Sequence, residues 1–155
     1  MERFAKFFSV MVCLLVTAGC STVQIPKYIK DQHPYQEEYY DSFQATLDAT
    51  NKALSDFGWQ VTETAEPSMF ERSKAVVDPD TKQILLFTEI RQTGLFLGSR
   101  YQRLNVILQS ARDDQTNVEL RYVTVSSVPF KTFTSYKKDS VAKKIFERIG
   151  HYLAQ

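Results

Sequence analysis

Few side chains in this 155-residue chain have types and spacing that could do chemistry. The two histidines, His33 and His151, lie far apart, and neither has a second metal-type ligand at a helical i+4 spacing. Hydroxyls such as Thr124, Ser126 and Ser127 belong to no Ser, Gly and His arrangement of an activated nucleophile; they read as solvent-facing strand residues. The carboxylate pairs Glu37–Glu38 and Asp113–Asp114 are neighbours in sequence, whereas glycosidic chemistry needs two carboxyl groups facing each other across a cleft. Gly94 and Gly98 lack the Lys and Ser/Thr of a phosphate-cradling loop. The expectation is a protein that is not an enzyme and holds neither metal nor cofactor. That leaves two thiols, Cys13 and Cys20, both within the first twenty residues.

Those twenty residues have the layout of an export signal. Arg3 and Lys6 outweigh Glu2, an apolar run from Phe7 to Val16 is broken only by Ser9, and small residues follow. The run is shorter than the roughly 20 apolar residues that cross a bilayer. Its ending, Thr17, Ala18, Gly19 and Cys20, resembles the lipobox of bacterial lipoproteins, with Thr17 where Leu is commonest. The resemblance implies cleavage before Cys20, acylation of Cys20 and attachment to a membrane of the cell envelope. Ser21 is not the Asp associated with inner-membrane retention in enteric bacteria, which favours the outer membrane. The alternative is an ordinary secretory signal cut after Ala18, leaving a free thiol on a soluble protein.

Without residues 1–19 the chain carries 17 basic and 17 acidic residues. A neutral balance gives no electrostatic reason to expect nucleic acid. With Cys13 removed and Cys20 acylated, no disulfide remains, and the stability of one domain must come from its core.

Residues 20–34 read as a lipidated cysteine and tether, and residues 35–155 as a single α+β domain. A helix is predicted after Pro34, from the recurrence of Tyr39, Phe43, Leu47, Thr50, Leu54 and Phe57 at spacings of three and four, ending at Gly58. Period-two patterning predicts strands at 59–64, 70–77, 82–91, 100–110 and 117–128, with a turn at Asp78, Pro79, Asp80 and Thr81 and another across Arg112 to Thr116. A last helix follows Asp139 as N-cap, with Val141, Ile145, Ile149 and Leu153 on one face. Gly150 inside it marks either close packing or an early end. The expected fold is an antiparallel meander of four to five strands with an N-terminal and a C-terminal helix on one face.

This element order, with Phe57, Gly58 and Trp59 as its sharpest local feature, resembles a helix-grip arrangement found in small envelope lipoproteins of undetermined function and in the lipoprotein C subunit of the outer-membrane barrel-assembly machinery. No catalytic residue carries over from it.

Apolar residues where loops should be polar are the better clue. Leu95, Phe96 and Leu97 stand between Gly94 and Gly98, and Phe130, Phe133 and Tyr136 alternate with lysines before the last helix. A meander brings the links after its first, third and fifth strands to one end, which predicts a cluster of Met69, Leu95, Phe96, Leu97, Phe130, Phe133 and Tyr136 beside the tether and the start of the first helix. The cluster is a candidate membrane or partner contact; the alternative is loops packed back onto their own core. A second candidate surface is the sheet face opposite the helices, where Leu85, Phe87, Ile107, Val123 and Val125 are joined by Glu89, Arg91, Arg103, Glu119 and Arg121, open to a dimer or partner. Two functions stay open at this point. One is a non-enzymatic interaction module in an envelope assembly, with an envelope protein partner. The other is a carrier or sensor of a small apolar ligand held between helix and sheet.

Overall fold

The computed structural model describes residues 23–74, 80–112 and 114–155. The export-signal segment, Cys20, the 75–77 end of the predicted second strand, the Asp78–Pro79 turn and Asp113 lie outside the described residues.

The fold is α+β: among the described residues, a seven-stranded antiparallel sheet and two helices. In chain order the elements are β1 (Tyr35–Tyr39), α1 (Phe43–Asp56), β2 (Val61–Ala65), two 3-10 turns (Pro67–Met69 and Arg72–Lys74), β3 (Gln83–Thr88), β4 (Arg91–Leu95), β5 (Gly98–Arg112), β6 (Gln115–Val128), β7 (Lys131–Ser135) and α2 (Asp139–Leu153). The strand order is β1-β6-β5-β3-β2, with β4 continuing beside β5 beyond β3 and β7 continuing beside β6 beyond β1. β5 and β6, 15 and 14 residues long, therefore form a central ribbon running the length of the sheet. At 3.3–3.4 Å per residue the ribbon is about 50 Å long.

Several sequence expectations are revised. Seven strands replace four to five. Tyr35 and Tyr39 are not the opening of a helix; they belong to an edge strand in register with Leu120 and Thr116. A spacing of four suits a helix and, being even, a strand face equally well, and here pairing with β6 decides. α1 starts instead after Ser42, whose hydroxyl accepts from the Ala45 amide. It ends as Gly58 allows: Gly58 has φ +71, its amide donates to the Ser55 carbonyl, and the Trp59 amide donates to that of Leu54. The described part of the predicted 70–77 strand forms 3-10 turns. The predicted 82–91 strand breaks at Glu89 and Ile90 into β3 and β4. α2 runs through Gly150, where a Cβ would find only ordinary contact with the Tyr39 ring.

Alternation along the strands sorts the sheet into two faces. Leu86, Leu104, Val106, Leu108, Val118, Leu120 and Tyr122 form the main core with Ala49, Ala53 and Leu54 of α1 and Ala142, Ile145 and Ile149 of α2. Both helices thus cover one face. The opposite face, expected to be open, is covered as well. Tyr28, Ala65 and Phe70 pack on Leu85, Phe87 and Ile107, and Val23, Ile25 and Ile29 pack on Val123 and Val125. The segment predicted as a free tether is, from Val23 onward, a strap laid along the sheet, with Ile29 fully buried.

Candidate functional site

Two regions carry side chains that burial and hydrophobicity alone would not place where they are. One is under the strap; the other is the distal end of the central ribbon.

Under the strap, successive same-face positions of β6 present Glu119 and Arg121, 3% and 2% exposed. The Arg121 guanidinium donates to Glu119 Oε1 at 2.6 Å, to Glu71 Oε2 at 3.1 Å, to the Tyr28 hydroxyl at 2.7 Å and to the Ile29 carbonyl at 3.0 Å. Lys74 Nζ reaches Glu119 Oε2 at 2.6 Å, and the Tyr28 hydroxyl donates to Glu71. Two cations and two anions thus compensate each other. The Tyr28 hydroxyl, with help from Ser73 and Arg121, holds the Glu71 carboxyl down at about 2, against the desolvation that would raise it. Burial and the adjacent Glu71 push Tyr28 up to about 12. Burial works against the Arg121 charge, but Glu119 outweighs it and holds the guanidinium above its ordinary value. Asn105 extends the arrangement by accepting from the Ile29 amide and donating to the Lys27 carbonyl. This network clamps strap and 3-10 turns to the sheet, and its charged atoms are engaged with one another. Sequence reasoning placed Glu119 and Arg121 on this face but missed the clamp, because Glu71 stands 50 residues from Arg121 with no local signal joining them.

At the distal end, Leu95 pairs with Gly98 around the two-residue turn Phe96–Leu97, and Val128 pairs with Lys131 around Pro129–Phe130. Ser99 pairs with Ser127, so the two turns lie side by side. Gly98 is required there: at φ +145, a Cβ would fall on the Ser127 carbonyl. Phe130 adopts φ +67, a left-handed conformation that in a Pro-led turn ordinarily calls for Gly. For a bulky side chain that conformation costs about 1–2 kcal/mol. No packing offsets the cost, since Phe130 is fully exposed and Phe96 is 99% exposed. Leu97 and Phe133 are also exposed, and Lys131 Nζ lies 4.7 Å from the Phe133 ring centroid. Withdrawing such a side chain fully from water would contribute about 1.5–3 kcal/mol.

The charged residues next to the two turns are both basic: Arg100 follows Ser99, and Lys131 pairs with Val128. In sequence, residues 90–103 and 122–138 contain Arg91, Arg100, Arg103, Lys131, Lys137 and Lys138 and no Asp or Glu, although Arg91 is taken up by the Phe57 carbonyl, Arg103 by the Pro26 carbonyl and Lys137 by the His33 carbonyl. The rest of the chain after Gly19 has 11 basic and 17 acidic residues.

Of the predicted contact residues, the structure brings Leu95, Phe96, Leu97, Phe130 and Phe133 together. Leu95 is half-buried in the β4–β5 hairpin. Tyr136 is exposed but lies past β7, on the way back to α2. Met69, also exposed, does not join them. It follows β2, whose Ala65 end is level with Leu85 and so with Ile107, nine residues along β5 from Gly98 and about 30 Å away. The start of α1 is distant too, because Tyr39 is level with Thr116 at the other end of β6. The strap makes good that separation. Ile29 is fixed at Asn105, Pro26 accepts from Arg103, and Val23 and Ile25 pack on the cluster with Val125, so the chain traced toward its N-terminus runs toward the aromatic turns.

The cavity at the junction of helices and sheet, lined by Phe57, Trp59, Arg91, Gln102 and Lys144 among others, is about 200 Å³. A larger groove of about 550 Å³ lies between edge strand β1 and α2, against Tyr35, Tyr39, Ala142, Phe146 and Gly150. Among the described residues no three or more His, Cys, Asp or Glu side chains are grouped to hold a metal ion, and no helix is long and apolar enough to cross a membrane. No protein-family model matches the chain, and no curated protein matches it.

Proposed function

We propose that this chain is a bacterial envelope lipoprotein, acylated at Cys20, that acts as a non-enzymatic interaction module in an envelope assembly and uses the distal end of its sheet as the contact surface. The observation that carries the reading is Phe130: a fully exposed aromatic in a conformation that glycine would adopt at no cost. Backbone strain without internal compensation points to a use outside the domain. The course of the strap supports the lipid attachment, because Cys20 precedes Val23 by three residues, a span of at most about 11 Å. The described end of the strap at Val23 and the aromatic turns lie toward the same end of the sheet. In this reading two helices on one face of the sheet form a helix-grip-like body, and Ser21 directs the protein to the outer membrane.

The test is mass spectrometry of the N-terminal peptide together with in-cell photocrosslinking. Acyl chains on Cys20, lost in Cys20→Ser, and crosslinks from a photoreactive group at Phe96 but not at Tyr40, which is also exposed, are expected. An unmodified Cys20 would overturn the anchor, and equal labelling from Phe96 and Tyr40 the contact surface. A second reading, carriage of a small apolar ligand, has the groove beside β1 in its favour, since its volume suits a small molecule. A reproducible ligand released from the native protein would move the assignment to that groove.

A further inference from the structure

The geometry points to an anionic phospholipid surface as what the distal sheet end contacts, with Phe96, Leu97 and Phe130 entering the interfacial layer and Arg100 and Lys131 meeting lipid phosphates. This deepens the contact reading above and rests on it. Three observations agree. First, the two turns place their apolar side chains at the extreme end of the ribbon, beyond every other element, so all three can enter a planar boundary together. Second, the charged residues beside the turns, Arg100 on β5 and Lys131 on β7, are both basic, and β4, β7 and the adjoining halves of β5 and β6 contain no acidic residue, while the chain after Gly19 outside residues 90–103 and 122–138 has an acidic excess. Aromatic and aliphatic tips flanked by Lys and Arg are the chemistry of interfacial binding, and each cation near an anionic surface adds to the attraction. A protein groove would need a matching acidic rim around a narrow apolar slot; a bilayer of anionic phospholipid supplies both features without shape matching. Third, Lys131 belongs to the same hairpin as Phe130, with its ammonium held beside the Phe133 ring, so charge and ring are presented together.

The experiment uses the full mature protein with Leu97→Trp, reconstituted in vesicles of phosphatidylglycerol or of phosphatidylcholine carrying brominated acyl chains. The native Trp59 is buried in the core and supplies a constant background. In phosphatidylglycerol the added indole should lose emission by about twofold or more, and the quenching should be weaker in phosphatidylcholine and in Lys131→Glu. Tyr40→Trp, on an exposed residue of the body, should be quenched in neither. Flotation of the same vesicles reads anchoring separately. Protein that floats with an unquenched indole overturns the lipid contact and leaves the anchor standing, and so does quenching unchanged by Phe96→Ser with Phe130→Ser. Protein that floats and is quenched with phosphatidylglycerol but does not float with phosphatidylcholine overturns the anchor and supports the contact.

Discussion

The strap-covered face and the distal end invert the usual distribution of side chains, in opposite directions. Beneath the strap an Arg and a Glu are almost wholly withdrawn from water; at the distal end two phenylalanines are almost wholly in it. The first inversion is resolved inside the molecule, because Arg121 finds Glu119, Glu71, Tyr28 and the Ile29 carbonyl within 3.1 Å. The second has no internal resolution among the described residues, since Phe96 and Phe130 are held by turns and almost wholly exposed. Buried charge with its partners present is architecture; exposed aromatic surface is what the proposed contact would use.

The two regions should respond to mutation in opposite senses. Arg121→Ala would leave Glu119 buried with Lys74 as its remaining cation, and a loss of about 3–5 kcal/mol in denaturant unfolding is expected. A loss below about 1 kcal/mol would mean that water enters under the strap and the clamp is dispensable. Acid should weaken the same region next. Because the Glu71 carboxyl lies at about 2 in the folded protein against 4.5 ordinarily, its contribution is complete above the ordinary value and fades as pH falls from 4.5 toward 2. Glu71→Gln should flatten that part of a stability profile; an unaltered acid limb would remove Glu71 from the clamp. The smallest effect is of opposite sign. Phe130→Gly should raise stability by about 1 kcal/mol by relieving the left-handed strain, while diminishing contact at the distal end. Destabilisation would show that Phe130 packs on its own domain after all.

Much of the body was legible in sequence because its signals are local. Gly58 after a three-and-four pattern gave the end of α1, and alternation from Leu104 to Leu108 and from Val118 to Val125 assigned side chains to the correct faces. The last helix was equally plain, though Asp139 is its first residue and not its N-cap, which is Lys138, and its buried stripe is Ala142, Ile145 and Ile149 rather than the strict row of four. What escaped was decided by distant pairing. Tyr35 and Tyr39 took strand conformation from β6, and the residues after Pro67 curled into turns because Glu71 and Phe70 had partners on the sheet. For the contact surface, composition found the exposed aromatics, but Met69 was added by assuming one simple meander. The break at Glu89 and Ile90 and the extra hairpin it creates moved the relevant turns onto the ribbon's end. A local hint of the second turn was present in Pro129 followed by Phe130, between two residues that turned out to pair.

The strap has a mechanical meaning as well. A pull applied at Val23 and directed past the aromatic turns acts nearly along the axis of β5, so the attachments at Pro26, Lys27 and Ile29 are loaded together in shear. Had the chain left the body beside the start of α1, at the opposite end of β6, the same pull would have opened its attachments one by one. Laid as it is, the segment converts a tug on its N-terminal end into a load shared between Arg103 and Asn105 of β5 and the packing on Val123 and Val125 of β6.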